Sequence, residues 1–596
     1  MEYEITEQRQ HYLDARGKTI LTACPGSGKT TSIVYKLGRL KNGCRAQYGR
    51  FRGIACLSFT NKACSEIEYK YKAMFGISIA YPDVVSTIDS FITEKIVMPY
   101  WHMFNGLETK PMVVNDKEVL RRLYLVKSGT SVLNVCGFRG VHANLLHRFD
   151  PSEINIGVNC FYYKNSILDN QYNEYADAVV RYRMMKGFCN SQDVAWIANS
   201  ILLNKKNLAT AIAQRFPYII VDEAQDTSEL QFSIFNELIN NGLENMEYVG
   251  DVYQSIYEWR QASPQNFERM ISYSGWNVLN LTENRRSVQH IIDTYSRIRK
   301  VGDPPIVSHN VENKQIPVVV YKYDNTNISS VINNFRQICE QNELKNYHVL
   351  TRGNDFIRQY NGATNQVEFW KSNIPYLLIK SLQYKESGQY PKAIKYLLHV
   401  RAELTLDTYA FKEKKEHVRN GYDNIPTKAK MMELLMALPS MNKRFVNWTM
   451  HAQMVLKEKL ELQDDVNFNA YKSKKGYTMG ILRNEPIAKY YREDDADSLP
   501  FTIETIHSSK GASYGGVLLV LSSNSQGQNL SLNSFKNEVP LTEKQRLLYV
   551  ACSRAEQFLA FAVPANTSNE TVKQRLGVDD TQIKSIELEQ NLFFLL

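Results

Sequence analysis

The chain has 596 residues, more than a single hydrophobic core supports, so three or four domains are expected. A composition of 43% hydrophobic and 22% charged residues argues against a disordered or fibrous protein, and a net charge of +9 is too thin over this length to define a polyanion binder by itself. Nine singly scattered cysteines without a CxxC pair argue against a zinc ribbon or a disulfide frame and for the reduced thiols of a cytoplasmic protein, while from the polar start MEYEITEQRQ and the lack of a long apolar run neither a secretion signal nor a membrane span is expected.

The first informative element is KTILTACPGSGKT, residues 18–30. Thr19–Ala23 is a short β-rich run, a Gly-rich turn follows, and Ile33, Val34, Leu37 and Leu40 then recur at helical spacing. Strand, turn and helix are the setting of a phosphate-binding loop. Gly26 and Gly28, around Ser27, let backbone N–H groups curl round phosphate oxygens at the positive end of the helix. Lys29 is expected on the β/γ-phosphates and Thr30 on Mg²⁺, with Thr31 beside them. The first motif position holds Ala23 where the strict pattern has glycine.

Residues 218–226, YIIVDEAQD, read as an apolar strand that ends in two carboxylates. Such a strand can set one of Asp222 and Glu223 on a metal ion and the other on an attacking water. Together with the phosphate loop it predicts an Mg²⁺-dependent nucleoside triphosphatase. Further on, VGD (249–251) precedes QSIYEWRQA (254–262). The rings of Tyr257 and Trp259, two residues apart, share one side of an extended chain, either as a core face or as a platform for a flat partner.

Six strings occur in a telling order: LSFTNKACSEI (57–67), VDEAQD, VGD…QSIYEWRQA, LTENRRS (281–287), TIHSSKGASY (505–514) and QRLLYVACSRA (545–555). Their order and wording resemble the signatures of UvrD/Rep-type superfamily 1A DNA helicases. The resemblance implies an α/β fold with two RecA-like P-loop domains, each a parallel sheet, carrying helical 1B and 2B-type insertions. ATP and Mg²⁺ would sit between the domains, and single-stranded or tailed DNA would run across both, with 3′-to-5′ translocation. Carried onto this chain, the pattern puts Gln254 on the γ-phosphate and makes Arg286 and Arg554 arginine fingers from the second domain. Gln8 corresponds to the residue that reads adenine, with Gln10 as the competing choice. Phe59, Tyr257 and Trp259 become candidates for base stacking, and Thr60, Asn61, Thr87, Arg260 and His507 for DNA phosphates or coupling.

Three positions depart from the family pattern. Arg285 replaces the tyrosine that stacks on the base, and Ser513 the glutamate that touches the ribose. Asp89, in STIDSF (86–91), stands where a histidine is usual. A guanidinium also stacks on flat rings, and a serine bonds a hydroxyl more weakly than a carboxylate, so reduced discrimination among nucleoside triphosphates is expected. The stretch TIDSFITEKIVMPYW also resembles the helicase subunit of the Gabija antiphage system. That likeness implies a hetero-oligomer with a partner nuclease of the overcoming-lysogenisation-defect type and a role in defence. The competing function is a regulatory ATPase subunit that senses DNA or nucleotides and controls such a nuclease without processive unwinding.

The expected layout gives residues 1–91 and 211–280 to the first RecA-like domain and 92–210 to the 1B insertion, which holds the basic pairs Arg121-Arg122 and RYRMMK (181–186). Residues 281–356 and 498–596 form the second RecA-like domain. Residues 357–497 form a reduced 2B-type insertion that ends in the acidic linker REDDAD (492–497).

Overall fold

The computed structural model describes residues 3–104, 107–115, 170–256, 264–310, 314–324, 327–353, 372–406, 411–468, 502–523 and 529–585, plus a few short pieces between them. Two compact units are present: Met1–Arg352 with Ile503–Leu596, and Gly353–Thr502. Among the described residues, no helix is long and apolar enough to cross a membrane. Tyr257, Trp259, Arg260, Arg121, Arg122 and the 492–497 linker lie outside the described residues.

The first unit holds two six-stranded sheets. One contains β1 (Lys18–Ala23), β2 (Ile54–Ser58), β3 (Val84–Thr87), β4 (Tyr218–Asp222), β5 (Asn245–Gly250) and β6 (Asn277–Leu281), in the order β3-β2-β4-β5-β1-β6 and parallel throughout. The other contains β7 (Val319–Tyr323), β8 (Tyr347–Thr351), β9 (Thr502–Thr505), β10 (Tyr514–Val520), β11 (Ala555–Pro564) and β12 (Ile583–Ser585), in the order β9-β8-β10-β11-β7-β12. Here β10 pairs in parallel with β8 and β11, and β7 with β11 and β12. Every residue of β2, β4, β5 and β10 is buried, as expected of parallel strands covered by helices on both faces. This is the α/β, two-sheet architecture that paired RecA-like domains require.

Three helices fix the working end of the first sheet: α1 (Glu7–Asp14), α2 (Lys29–Tyr48) and α3 (Asn61–Phe75). Helix α2 buries Ile33, Val34, Leu37, Leu40 and Cys44, the stripe legible in the sequence, against Leu21, Cys56, Ile220 and Val249 of the sheet. Helix Ser191–Asn204 packs into the core of the same sheet through Val194, Ile197, Ala198, Ile201 and Leu202. Arg183, within the basic RYRMMK run, is fully buried and ion-paired with Asp193 at 3.0 Å. It is a structural residue, out of reach of a nucleic acid.

The second unit, Gly353–Thr502, is mainly helical in its described parts, with one short antiparallel strand pair, Ser473–Lys474 with Tyr477–Thr478. Helices Ile374–Glu386, Tyr390–Thr405, Ile425–Ala437 and Phe445–Leu460 enclose a core that includes Trp370, Leu397, Leu398, Leu434 and Trp448. Trp448 is fully buried and donates its indole N–H to Pro439 O at 3.1 Å, so its polar atom is satisfied. Lys414, on helix Phe411–Asp423, is buried and pairs with Glu403 at 2.9 Å.

Candidate functional site

Parallel sheets place ligands at the carboxyl ends of their strands, and the candidate residues gather there. β1 runs into the turn 24–28, closed by Ser27 N donating to Cys24 O at 3.2 Å. Gly26 and Gly28 have φ of +74° and +78°, left-handed backbone that a side chain disfavours. Helix α2 then starts at Lys29 and presents its unpaired first-turn N–H groups. The Ser27 hydroxyl is buried without a hydrogen-bond partner. Arg9, from α1, donates to Ser27 O at 3.0 Å and lies over the Tyr3 ring at 4.8 Å. It braces the loop from its carbonyl side, a role with no signal in the motif strings.

β4 ends at Asp222, and the chain turns sharply at Glu223, whose φ is +55°. Left-handed backbone at a non-glycine residue costs about 1–2 kcal/mol, and it is kept here at the candidate water-orienting carboxylate. Lys29 Nζ bridges the pair, 3.3 Å from Asp222 Oδ1 and in contact with Glu223 Oε1. Burial pushes the Asp222 carboxyl above its usual range. Burial acts the same way on Glu223, but Lys29 and Lys510 outweigh it and hold that carboxyl at about 2. Glu223 is therefore ionised at neutral pH, as an orienting base needs to be.

Two further residues join this cluster. Lys510, from the TIHSSKGASY string, pairs with Asp226 Oδ2 and reaches within 3.9 Å of Glu223 Oε2. Asp226 is 1% exposed, and burial pushes its carboxyl up to about 6 against the pull of Lys510. Both residues lie inside strings singled out in the sequence, yet only their proximity in space marks them.

A relay of side-chain amides connects the carboxylates to the second sheet. Gln225 donates to Glu223 Oε2, and its Oε1 accepts from Asp251 N at 3.0 Å. Gln254 donates to Asp251 Oδ2 at 2.8 Å, and its Oε1 accepts from Arg554 Nη2 at 3.2 Å. Arg554 is 1% exposed, and burial together with Arg286 lowers its pKa to about 9. Arg286, lowered by burial as well, donates to Ser553 O at 3.0 Å.

A cleft of about 210 Å³ collects most of the expected groups. Gly26, Ser27, Gly28, Lys29 and Thr30 form its loop side, and Asp222 and Glu223 its strand side. Gln254, just after β5, adds to the first-sheet side, Arg286 and Arg554 close the cleft from the side of the second sheet, and Phe59 and Thr60 also line it. Thr60 and Thr87 also cap helices, accepting from Ala63 N at 3.2 Å and Ser90 N at 3.1 Å. Asn61, exposed at the first position of α3, and Thr31 do not line the cleft. His507 Nε2 lies 3.3 Å from Ile256 O, at the end of the described part of the QSIYEWRQA region.

The residues expected to meet base and ribose sit apart from the cleft. Gln8 accepts from Thr282 N at 2.9 Å and donates to Thr282 Oγ1 at 3.0 Å, while Gln10 is engaged with Asp14 on the surface. Arg285 is held by Glu4 and Glu283, and its backbone N donates to Gly26 O at 2.9 Å. Ser513 does not line the cleft, and its carbonyl accepts from Asn346 Nδ2 at 3.1 Å.

These groups fit a metal-bound triphosphate. A left-handed glycine loop, a helix start, an unpartnered buried hydroxyl at Ser27 and the cations Lys29, Arg286 and Arg554 share one cleft with the carboxylates Asp222 and Glu223. Among the described residues there is no cluster of three or more His, Cys, Asp or Glu able to hold a metal alone. A Thr30 hydroxyl with one Asp222 carboxylate suits Mg²⁺, which takes few protein ligands and completes its shell with phosphate and water.

Comparison with known proteins gives the chain its relatives. Residues 5–273 match the UvrD/REP helicase N-terminal domain. The chain is 24% identical over 381 residues to the ATP-dependent DNA helicase Rep of Buchnera aphidicola subsp. Schizaphis graminum, covering 60% of this chain and 54% of that protein. It is 25% identical over 408 residues to a probable DNA helicase II homolog of Mycoplasma capricolum, covering 63% and 52%. It is 23% identical over 395 residues to the ATP-dependent DNA helicase PcrA of Leuconostoc citreum, covering 64% and 50%. The chain thus spans about half the length of the curated relatives it matches.

Proposed function

Because the chain is UvrD/Rep-like, with residues 5–273 matching that family's N-terminal helicase domain, we propose that it is an ATP-driven motor that moves 3′ to 5′ along single-stranded DNA and displaces the opposite strand. The observation that carries this reading is the contact of Arg554 with Gln254 inside the phosphate-loop cleft. A site completed by arginines from a second sheet makes hydrolysis depend on how the two sheets meet, and that dependence turns phosphate chemistry into motion.

In this mechanism the loop 24–30 and Lys29 bind the phosphates, and Thr30 and Asp222 would hold Mg²⁺. The cation supplies charge neutralisation to the transferred phosphoryl group. Glu223, kept ionised, orients the attacking water. Arg286 and Arg554 stabilise the charge that develops on the phosphoryl oxygens. The partner nuclease and the defence role implied by TIDSFITEKIVMPYW belong to the same proposal, and co-purification with neighbouring gene products tests them.

The decisive experiment is strand displacement on 3′-tailed and 5′-tailed duplexes, with Lys29→Ala as control. Displacement of the 3′-tailed duplex alone is expected. DNA-stimulated hydrolysis without displacement points to the regulatory ATPase, and no hydrolysis in the wild type overturns both readings.

A further inference from the structure

Asn284 is fully buried, and no part of the mechanism above uses it. Its Oδ1 accepts from Arg286 N at 2.7 Å and from Ser287 N at 2.8 Å, which folds the chain into a tight turn just ahead of Arg286. Its Nδ2 donates to Tyr295 Oη at 2.9 Å, so the amide is pinned at both ends. Tyr295 is itself buried, with its ring edge-on to Tyr549 at 5.0 Å.

The turn that Asn284 closes presses directly on the phosphate loop. A Cβ built on Gly26 falls 2.7 Å from Asn284 Oδ1 and 2.6 Å from Arg286 Cβ, and Arg285 N donates to Gly26 O at 2.9 Å. On its far side the turn is tied to the second sheet by Arg286 Nη1 to Ser553 O at 3.0 Å and Val288 N to Glu556 O at 3.0 Å. One side chain therefore sets the backbone from which Arg286 enters the cleft.

We propose that Asn284, held by Tyr295, is the positioning residue for Arg286: it fixes the arginine's approach to the phosphate loop without touching nucleotide itself. This rests on the reading of the cleft as a nucleoside triphosphatase site. Arginine catalysis depends on placement, and a shift of about 1 Å costs on the order of 10²-fold in rate. An Asn284→Asp variant keeps the acceptor for both N–H groups, and the Tyr295 hydroxyl can turn to donate to it.

The test is ATP hydrolysis, with kcat and KM separated, by wild type, Asn284→Ala, Asn284→Asp, Tyr295→Phe, Arg286→Ala and the double variant Asn284→Ala/Arg286→Ala. The expected result is a loss of about 10²-fold in kcat for Asn284→Ala with KM little changed, and substantial recovery in Asn284→Asp. In the Arg286→Ala background, the loss of Asn284 adds nothing further. Additive losses in the double variant, or a change in KM with kcat intact, overturn the assignment. If Asn284→Ala does not fold, Tyr295→Phe combined with Arg286→Ala carries the same non-additivity test. Absence of hydrolysis in the wild type overturns the reading of the cleft instead, so the two failures are distinguishable.

Discussion

Arg554 Nη2 lies 3.2 Å from Gln254 Oε1, and these residues belong to opposite sheets, separated by 300 positions in sequence. Gln254 in turn donates to Asp251, whose backbone N–H meets Gln225, which donates to Glu223. The candidate orienting carboxylate and the candidate arginine finger are thus two ends of one hydrogen-bonded relay. Arg554→Ala should reduce kcat for ATP by about 10³-fold or more while nucleotide still binds. Gln254→Ala should fall in the same direction, and the pair should be strongly non-additive in a double-mutant cycle. Independent, multiplying effects sink the relay.

The Asp226–Lys510 pair gives the site a pH signature. Asp226 in the folded chain titrates at about 6, above its ordinary 3.8. As pH falls through 6 the carboxylate takes up a proton and its ion pair with Lys510 is neutralised, so kcat should drop on the acid side with an inflection near 6. Asp226→Asn should remove that inflection. The stability signs differ. A raised acid pKa contributes stability that is present below 3.8 and is lost as pH rises to 6. Glu223, held at about 2, contributes stability above 4.5 that is lost as pH falls towards 2. A pH–rate profile beside a pH–denaturation series separates the two.

Gly26 tolerates no side chain. Its φ of +74° is left-handed, and an added Cβ meets Arg286 Cβ at 2.6 Å and Asn284 Oδ1 at 2.7 Å, both in a turn clamped on its far side. Gly26→Ala should therefore abolish hydrolysis by pushing the arginine turn off the loop. Near-normal turnover in a folded Gly26→Ala protein is incompatible with the contact between loop and turn.

Base recognition is expected to be weak. Gln8 spends one acceptor and one donor on Thr282, and Arg285 is bound by Glu4 and Glu283. The kcat/KM values for ATP and GTP should agree within about tenfold, which is the effect of 1.4 kcal/mol. Strict ATP dependence in a side-by-side assay contradicts this.

What could be read from the sequence was local. KTILTACPGSGKT announces a strand, a turn and a helix within thirteen residues, and YIIVDEAQD carries its strand and carboxylates together. What could not be read depends on partners outside the local string. Lys510 finds Asp226 across 284 positions, and nothing in SSKGAS predicts a buried carboxylate opposite. Arg9 looks like a surface cation on a polar helix until Ser27 O and Tyr3 appear around it. Arg183 sits in a basic run that reads as solvated, yet Asp193 claims the residue for the core.

Lys36 and Glu247 supply a stability prediction independent of catalysis. Lys36 points from α2 into the sheet, 2.7 Å from Glu247 Oε1 on β5, with 0% and 1% of the two side chains exposed. Lys36 also donates to Tyr12 O at 2.8 Å and lies over the Tyr12 ring at 4.2 Å, so the cation is well held. Removing one member strands a buried charge. Lys36→Ala should thus destabilise the first unit by about 3–5 kcal/mol, read as a shift in the urea midpoint at constant m-value. The apolar double variant Lys36→Met/Glu247→Leu removes both charges and should regain most of that loss, because a buried pair spends much of its attraction on desolvation. A double variant as unstable as the single one means that the pair supports the packing of α2 on β5 beyond charge balance.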